Sequence, residues 1–337
     1  MNEQAVRIAQ AGIANHGRTI VNAIGDSGNL TLVACYDIDT AANATVAKEF
    51  NARPAASFDE LVHNPNVEAI ALVTPNHLHA GQLRAAVAAG KHVFVEKPIA
   101  NTIADARDMI ELMRSAGLVL MTGHNTRRRR VFRRAKQVLG EGLLGTIVAV
   151  EANLSRPAGL QPGLPAWKAD PTKCALLPMM QLGIHFIDTI SYLLQPVQRV
   201  SCFAANTVMP GSVFDSTAAI LQLESGIPVS LTSYYVSADA YFLRIYGTEG
   251  TLHCFPTHMK LELLRNGELA ETREEDFSSE GAESYILQMR EFGECVRSGK
   301  TPETGGEEGL RALAVIEAMV ASVTRRAVIE VGDILKA

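Results

Sequence analysis

Several things that would announce a class of protein are scarce in this sequence. The 337 residues include five cysteines, Cys35, Cys174, Cys202, Cys254 and Cys295, with no C-x-x-C pair and no close Cys/His spacing. Neither a disulfide framework nor a structural zinc site is expected from such a set, and free thiols in a reducing compartment are the better reading. No run approaches the ~20 apolar residues of a membrane span. The opening MNEQAVRIAQAG also lacks the basic, apolar and small-residue order of a secretory signal. Positive charge is not in excess: 31 Lys and Arg stand against 36 Asp and Glu, a formal net charge of −5. A general attraction to nucleic acid or anionic lipid is therefore not expected. There is no internal repeat and no low-complexity tract. What remains is an ordinary globular composition, 47% hydrophobic and 20% charged. A cytoplasmic protein of about two domains is expected, with no membrane partner.

The first 123 residues alternate apolar strand candidates with helix candidates. The strands are 5–11, 30–37, 67–74, 91–96 and 118–123; the helices lie near 15–27, 39–50, 57–63, 77–89 and 102–116, with Asp37, Ser57 and Asn101 or Thr102 as caps. Near-continuous apolar strands separated by helices imply a parallel sheet covered on both faces, a doubly wound α/β domain over 1–123. Beyond it the rhythm changes. A helix near 130–142, a strand at 146–155 and a Pro/Gly-rich stretch lead to a helix near 181–194, then to successive strands at 198–208, 214–223, 227–236, 240–246, 250–254 and 258–265. Strands without intervening helices indicate an open, mostly antiparallel sheet in an α+β domain over 124–337, with its helices on one face. Two helices, near 282–298 and 306–322, close the chain.

The first strand runs into GIANHG: Gly12, Ile13, Ala14, Asn15, His16, Gly17. This fits G-x-G-x-x-G except for Ala14 at the middle glycine. Such a turn brings backbone N–H groups at a helix start toward a pyrophosphate. A left-handed conformation at Ala14 would cost roughly 1–2 kcal/mol. Asp37 ends the second strand, 20 positions past Gly17, where a carboxylate accepts hydrogen bonds from ribose hydroxyls. It would repel a 2′-phosphate, and the following Ile38 supplies no cation to hold one, so NAD is favoured over NADP. The plainer alternative is a turn followed by a helix cap.

TPNHLHAGQ, Thr74–Gln82, leaves the strand before at the carboxyl edge of the sheet, which makes Thr74, Pro75, Asn76 and His79 candidate cofactor contacts. His77 and His79 have no acidic or third histidine partner, so no metal is expected. VEKP follows: Pro98 biases Lys97 toward an extended backbone, holding Glu96 and Lys97 at the strand's carboxyl end in the same crevice. A strand-terminal salt bridge is the competing role for Lys97.

Taken together, GIANHG, TPNHLH, VEKP, TGHNTRRRR and QLGIHFID resemble the Gfo/Idh/MocA family (glucose-fructose oxidoreductase, inositol dehydrogenase and relatives), in family order and over nearly the whole chain. The resemblance implies a Rossmann domain, an open-faced second sheet, nicotinamide-dependent oxidation or reduction of sugar-like alcohols, and homodimers or homotetramers built through that sheet. It implies that Lys97 is the active-site lysine and His185 the catalytic histidine of a D-x-x-x-H pattern. This chain carries Gln181 at the Asp position. An amide cannot exchange a proton at neutral pH but can orient a hydroxyl. The chemistry suits these residues independently. Imidazole is the natural base for an alcohol proton, and an ammonium stabilises the developing alkoxide. Gln181 and His185, four apart, are expected on one helix face. By the same resemblance Trp167 and Lys168 reach the cofactor from the second domain, with burial as core the alternative for Trp167. Asn125 and Asp188 are candidate substrate contacts, Asn125 also a candidate for the nicotinamide, and Arg128 a further candidate for either.

Three other readings are weighed. The basic run Arg127–Lys136 raises nucleic acid, but a basic stretch leading into an amphipathic helix is usually a solvated or ion-paired face. Ala14 and Gln181 raise an NAD(P)-binding sensor without turnover. A glycoside hydrolase or epimerase using NAD only transiently is the third possibility.

Overall fold

Five short apolar runs and a two-residue edge strand build the parallel sheet expected of the first part: β1 Val6–Ala11, β2 Leu30–Tyr36, β3 Arg53–Pro54, β4 Ala69–Leu72, β5 His92–Val95 and β6 Leu120–Thr122. The computed structural model describes residues 5–336. Its strands stand in the order β3-β2-β1-β4-β5-β6, every pair parallel. The direction of winding reverses between β1 and β4, which opens a crevice at their carboxyl ends. Helices α1 His16–Asp26, α2 Thr40–Glu49, α3 Phe58–Val62, α4 His79–Ala88 and α5 Ile103–Ser115 make the crossovers.

Ser57 and Thr102 cap as expected, their hydroxyls accepting from Glu60 N and Asp105 N. Asp37 does not cap. β2 ends at Tyr36 and α2 begins at Thr40, so the capping position falls to Asp39, whose Oδ1 accepts from Ala41 N and Ala42 N at 3.0 Å.

The chain forms two compact units, Met1–Asn125 with Ala282–Leu310, and Thr126–Gly281 with Arg311–Ala337. The helix Glu283–Ser298, which a division at 123 leaves with the second part, joins the first unit. Its Met289, Phe292 and Cys295 enter the core beside Ile20, Ile24 and Phe94, the two phenylalanine rings meeting edge to face at 6.1 Å. Arg297 on that helix donates to both oxygens of Glu68, at 2.8 and 3.1 Å. These bonds hold the Glu68 carboxyl at about 2.

In the second unit nine strands form one sheet: β7 Ile147–Ser155, β8 Val197–Ala205, β9 Ser216–Leu223, β10 Pro228–Tyr234, β11 Ala240–Gly247, β12 Gly250–Cys254, β13 His258–Arg265, β14 Glu268–Asp276 and β15 Ile329–Glu330, in the order β14-β13-β12-β11-β7-β10-β9-β8-β15. Among the described residues of this sheet only β10 and β7 pair in parallel. β14 carries no apolar alternation and is exposed almost throughout, which is why periodicity does not reveal it.

Helices α6 Arg130–Gly140 and α7 Ile184–Leu193 lie in this unit, α8 is Glu283–Ser298, and α9 Gly306–Arg325 and α10 Val331–Lys336 follow. Phe132 of α6 meets Phe186 of α7, which in turn meets Tyr241 of β11, so both helices are fastened to the sheet's covered face. The opposite face is open. Phe203 is 79% and Ile220 57% exposed, and Arg244 and Tyr246 bind Glu151 there.

The helix expected over 181–194 is α-helical only from Ile184. Met179–Gly183 is a π turn. Its wider winding means that Gln181 and His185 are not related by an α-helical i, i+4 step.

Candidate active site

In the first unit the glycine turn is built as its sequence requires. Gly12 has φ +83°, and a Cβ there would lie 2.4 Å from Val73 O, so only glycine fits. A Cβ on Gly17 would lie 2.2 Å from Gly12 O, which lets the first turn of α1 close onto the strand end. Ala14 escapes the expected penalty because the non-glycine residue of this turn with positive φ is Asn15, at 51°. Gln10, fully buried, donates from Nε2 to Gly12 O and Gly17 O at 2.8 Å each and ties the two ends of the loop together. It passed unnoticed in the sequence, although a glutamine inside the apolar run VRIAQA is the signal that could have found it.

Asp37 turns toward this loop. Its Oδ2 accepts from Ile13 N at 2.7 Å and Ala14 N at 3.1 Å, and its Oδ1 from Asp39 N at 2.9 Å. Ile38 beside it is 89% exposed. The N–H groups of Ile13 and Ala14 thus face a carboxyl oxygen, and Gly12 puts no Cβ over the turn. Backbone donors at a helix start beside a carboxyl group are the chemistry that a dinucleotide's phosphates and ribose would require.

At the end of β4, Thr74 Oγ1 donates to Gln82 Oε1 at 2.5 Å, and Pro75 leads into a 3₁₀ turn carrying Asn76. Asn76 donates to the Asn101 side chain. His79, 1% exposed, has Nε2 2.9 Å from Thr74 O and Nδ1 3.1 and 3.2 Å from Pro98 O and Ile99 O. Burial outweighs these contacts and lowers its pKa. Its ring braces the segment after β4 against the segment after β5. Among the described residues no three His, Cys, Asp or Glu side chains are grouped to hold a metal.

Glu96 follows β5 with its side chain 7% exposed and its Oε1 3.2 Å from His16 Nε2. A Cβ on Gly123 would come within 2.8 Å of that oxygen, so the glycine makes room for it. Burial opposes its charge, yet His16 and Lys97 prevail and hold the carboxyl below the ordinary carboxylate range. Lys97 N donates to Glu96 Oε2 at 3.2 Å, and the Lys97–Pro98 bond is cis. Asn125, 5% exposed, donates to Ser284 Oγ at 3.1 Å.

In the second unit a 3₁₀ turn, Thr126–Arg128, meets α7. Thr126 Oγ1 lies 3.0 Å from His185 Nδ1. Arg127 grips Asp188 with two hydrogen bonds, Nε to Oδ2 at 2.9 Å and Nη2 to Oδ1 at 2.5 Å, both side chains buried. Gln181 Nε2 approaches Cys174 Sγ at 4.0 Å. Trp167 and Lys168 share a 3₁₀ turn. Trp167 is half-buried, and Lys168 Nζ sits over the Trp167 and Tyr235 rings and donates to Tyr235 OH at 3.3 Å. Burial lowers the Lys168 pKa.

The basic run is consumed internally. Arg128 is 2% exposed, Arg129 pairs with Glu280, and Arg133 donates to Tyr192 OH. Arg134 pairs with Glu275 and Glu141, and Lys136 closes the end of α7 at Tyr192 O.

A doubly wound parallel sheet, a glycine turn with an acid on its N–H groups and a separate open-sheet unit together define a dinucleotide-dependent oxidoreductase. Comparison with known families agrees. Residues 6–124 match the family described as "Oxidoreductase family, NAD-binding Rossmann fold" (GFO_IDH_MocA), and residues 132–253 match the GFO/IDH/MocA C-terminal domain. The chain belongs to the Gfo/Idh/MocA family.

Among curated relatives it is 29% identical over 290 residues to 1,5-anhydro-D-fructose reductase of Ensifer adhaerens, covering 83% of this chain and 85% of that protein. It is 25% identical over 288 residues to myo-inositol 2-dehydrogenase of Thermotoga maritima, covering 82% and 83%. The fold superposes on levoglucosan dehydrogenase, solved with NADH and levoglucosan, with a TM-score of 0.89 at 19% identity, covering 97% of this chain and all of that one. No helix of the described residues is long and apolar enough to cross a membrane.

Proposed function

We propose that this protein moves a hydride between a nicotinamide cofactor and a CH–OH carbon of a sugar, cyclic polyol or sugar derivative. The reading is carried by one observation above others. Lys97 directly follows a buried, ionised glutamate at the carboxyl end of β5, in the sheet that carries the glycine turn at the end of β1. The relatives that act on an anhydro-sugar and on an inositol support the substrate class.

The turn Gly12–Gly17 would hold the pyrophosphate by its N–H groups and Asp37 the adenosine ribose, with Ile38 and the residues after β4 along the cofactor's edge. When bound, nicotinamide supplies the two-electron step by accepting or delivering the hydride. His185 takes the hydroxyl proton in oxidation and returns it in reduction. Lys97 donates a hydrogen bond to the oxygen that becomes or ceases to be an alkoxide, with the buried carboxylate of Glu96 next to it in the chain. Gln181 orients a substrate hydroxyl, and Trp167 and Lys168 border the cofactor. Asn125 lies near the reacting end. The open sheet face around Phe203 and Ile220 pairs with a second copy of the chain, and five buried free thiols suit a reducing compartment.

The test is absorbance at 340 nm with NAD, NADH and their phosphorylated forms against a panel including myo-inositol, levoglucosan and 1,5-anhydro-D-fructose. Turnover of a member of this class supports the proposal. Nucleotide binding without turnover of any of them would favour a sensor, and product released without net NADH a transient redox mechanism.

Asp37 carries the cofactor preference. Asp37→Ala is expected to weaken NAD more than NADP, because the ribose hydroxyls lose an acceptor while a 2′-phosphate loses a repulsive neighbour. Fluorescence titration with NADH and NADPH measures the ratio of the two dissociation constants. An unchanged ratio would contradict the assignment.

A further inference from the structure

The 3₁₀ turn before α6 touches α7 at two points through adjacent residues: Thr126 reaches His185 and Arg127 reaches Asp188. His185 and Asp188 are three apart on α7 and so share a face of that helix. The Arg127–Asp188 pair, with side chains 8% and 2% exposed, fixes the turn against the helix, and a fixed turn holds the hydroxyl of the preceding residue on the imidazole. Thr126 itself is 6% exposed, so water competes little for that bond.

Resting on the reading of His185 as the proton-exchanging group, we infer that Thr126 is its positioning residue. The hydroxyl at Nδ1 selects Nε2 as the nitrogen that meets the substrate, in the role an acid partner would otherwise take.

The distinction from a carboxylate is chemical. A carboxylate on Nδ1 only accepts, and therefore favours the tautomer with hydrogen on Nδ1. A hydroxyl both donates and accepts. Accepting from Nδ1–H, it leaves Nε2 free to take the hydroxyl proton in oxidation, and the imidazolium so formed, with Nδ1–H still on the hydroxyl, returns that proton from Nε2 in reduction. Thr126 therefore serves both directions of the reaction without a charge of its own. This arrangement matches the amide at position 181, which brings no negative charge to the site either. The π turn Met179–Gly183 belongs to the same arrangement. It ends where α7 begins, so the imidazole is carried by regular helix, which the Arg127–Asp188 pair joins to the turn.

Three variants test this: Thr126→Val, which keeps the shape and removes the hydroxyl, Thr126→Ser, which restores it, and His185→Ala as the reference. With the most active member of the panel above, Thr126→Val is expected to lower kcat about 10–100-fold, the usual range for a group supporting acid–base catalysis. The KM for the nicotinamide cofactor should stay unchanged. Thr126→Ser is expected to recover most of the loss. A readout independent of turnover is the ¹⁵N spectrum of the imidazoles in cofactor-free protein, with the His185 signals identified by their absence in His185→Ala. Thr126→Val should shift the His185 Nδ1 and Nε2 resonances and change their tautomer balance, and Thr126→Ser should leave them near wild type. If His185→Ala is inactive while Thr126→Val retains full kcat and unshifted imidazole signals, the positioning role falls and the base stands. If His185→Ala is fully active, the base assignment itself fails. Equal losses in Thr126→Val and Thr126→Ser would mean that packing, not the hydroxyl, matters.

Discussion

Lys97→Ala is expected to lower kcat by at least about 10²–10³-fold, the cost of removing one preorganised donor from a developing oxyanion, while NAD affinity stays within about tenfold. The physical basis is the setting of the residue. Glu96 is buried, held ionised against the cost of burial, and its charge is shared between His16 and Lys97. Lys97 thus follows directly on a buried negative charge, at the carboxyl end of the sheet where a crevice opens. On the proposed reading the glycine turn and Asp37 would hold the adenine half of the cofactor through groups that do not involve position 97, so binding should survive. Rates of absorbance change at 340 nm and a fluorescence titration with NADH read the two effects separately. An alanine variant with wild-type kcat would remove the lysine from the mechanism. Equal losses of binding and rate would assign it to the cofactor alone.

The second large effect falls on stability. Asp188→Ala leaves Arg127 buried against α7 without its carboxylate, and stripping one partner from a buried pair costs about 3–5 kcal/mol. Trp167 is the only tryptophan and lies in the second unit, so its fluorescence during denaturant unfolding reports on the unit that holds the pair. The midpoint is expected to fall sharply for Asp188→Ala. In Arg127→Met/Asp188→Leu, where both charges are gone and the volume is kept, most of the loss should be recovered. That double variant separates two roles of the pair. If Arg127 and Asp188 also hold Thr126 on His185, stability returns while kcat does not. A double variant no more stable than Asp188→Ala would show that the ion pair is not what the unit lacks.

Asp188 also illustrates what a sequence reading can and cannot reach. Its position on the helix after QLGIH made it a candidate substrate contact, and nothing local distinguishes a carboxylate facing a ligand from one facing an arginine 61 residues away. The basic run Arg127–Lys136 was equally ambiguous until its partners Asp188, Glu280, Glu275 and Tyr192 came from distant parts of the chain. The glycine turn was different. Gly12, Gly17 and the acid after β2 act through backbone geometry and a fixed spacing, both written along the chain, and the strands around them are legible because an apolar run buried on two faces has no other stable place.

The sequence by itself determined the two-part architecture, the parallel sheet with its glycine turn and the charged end of β5, because these depend on local periodicity, backbone conformation and short spacing. Tertiary structure alone decided that Ala14 is spared the strain that Asn15 takes, that Gln10 ties the loop, that the 181–194 segment begins as a π turn, and that a threonine hydroxyl sits on His185. Each of these depends on groups brought together by folding, and hydrogen bonds and ion pairs between side chains far apart in the chain leave no period or spacing to be read.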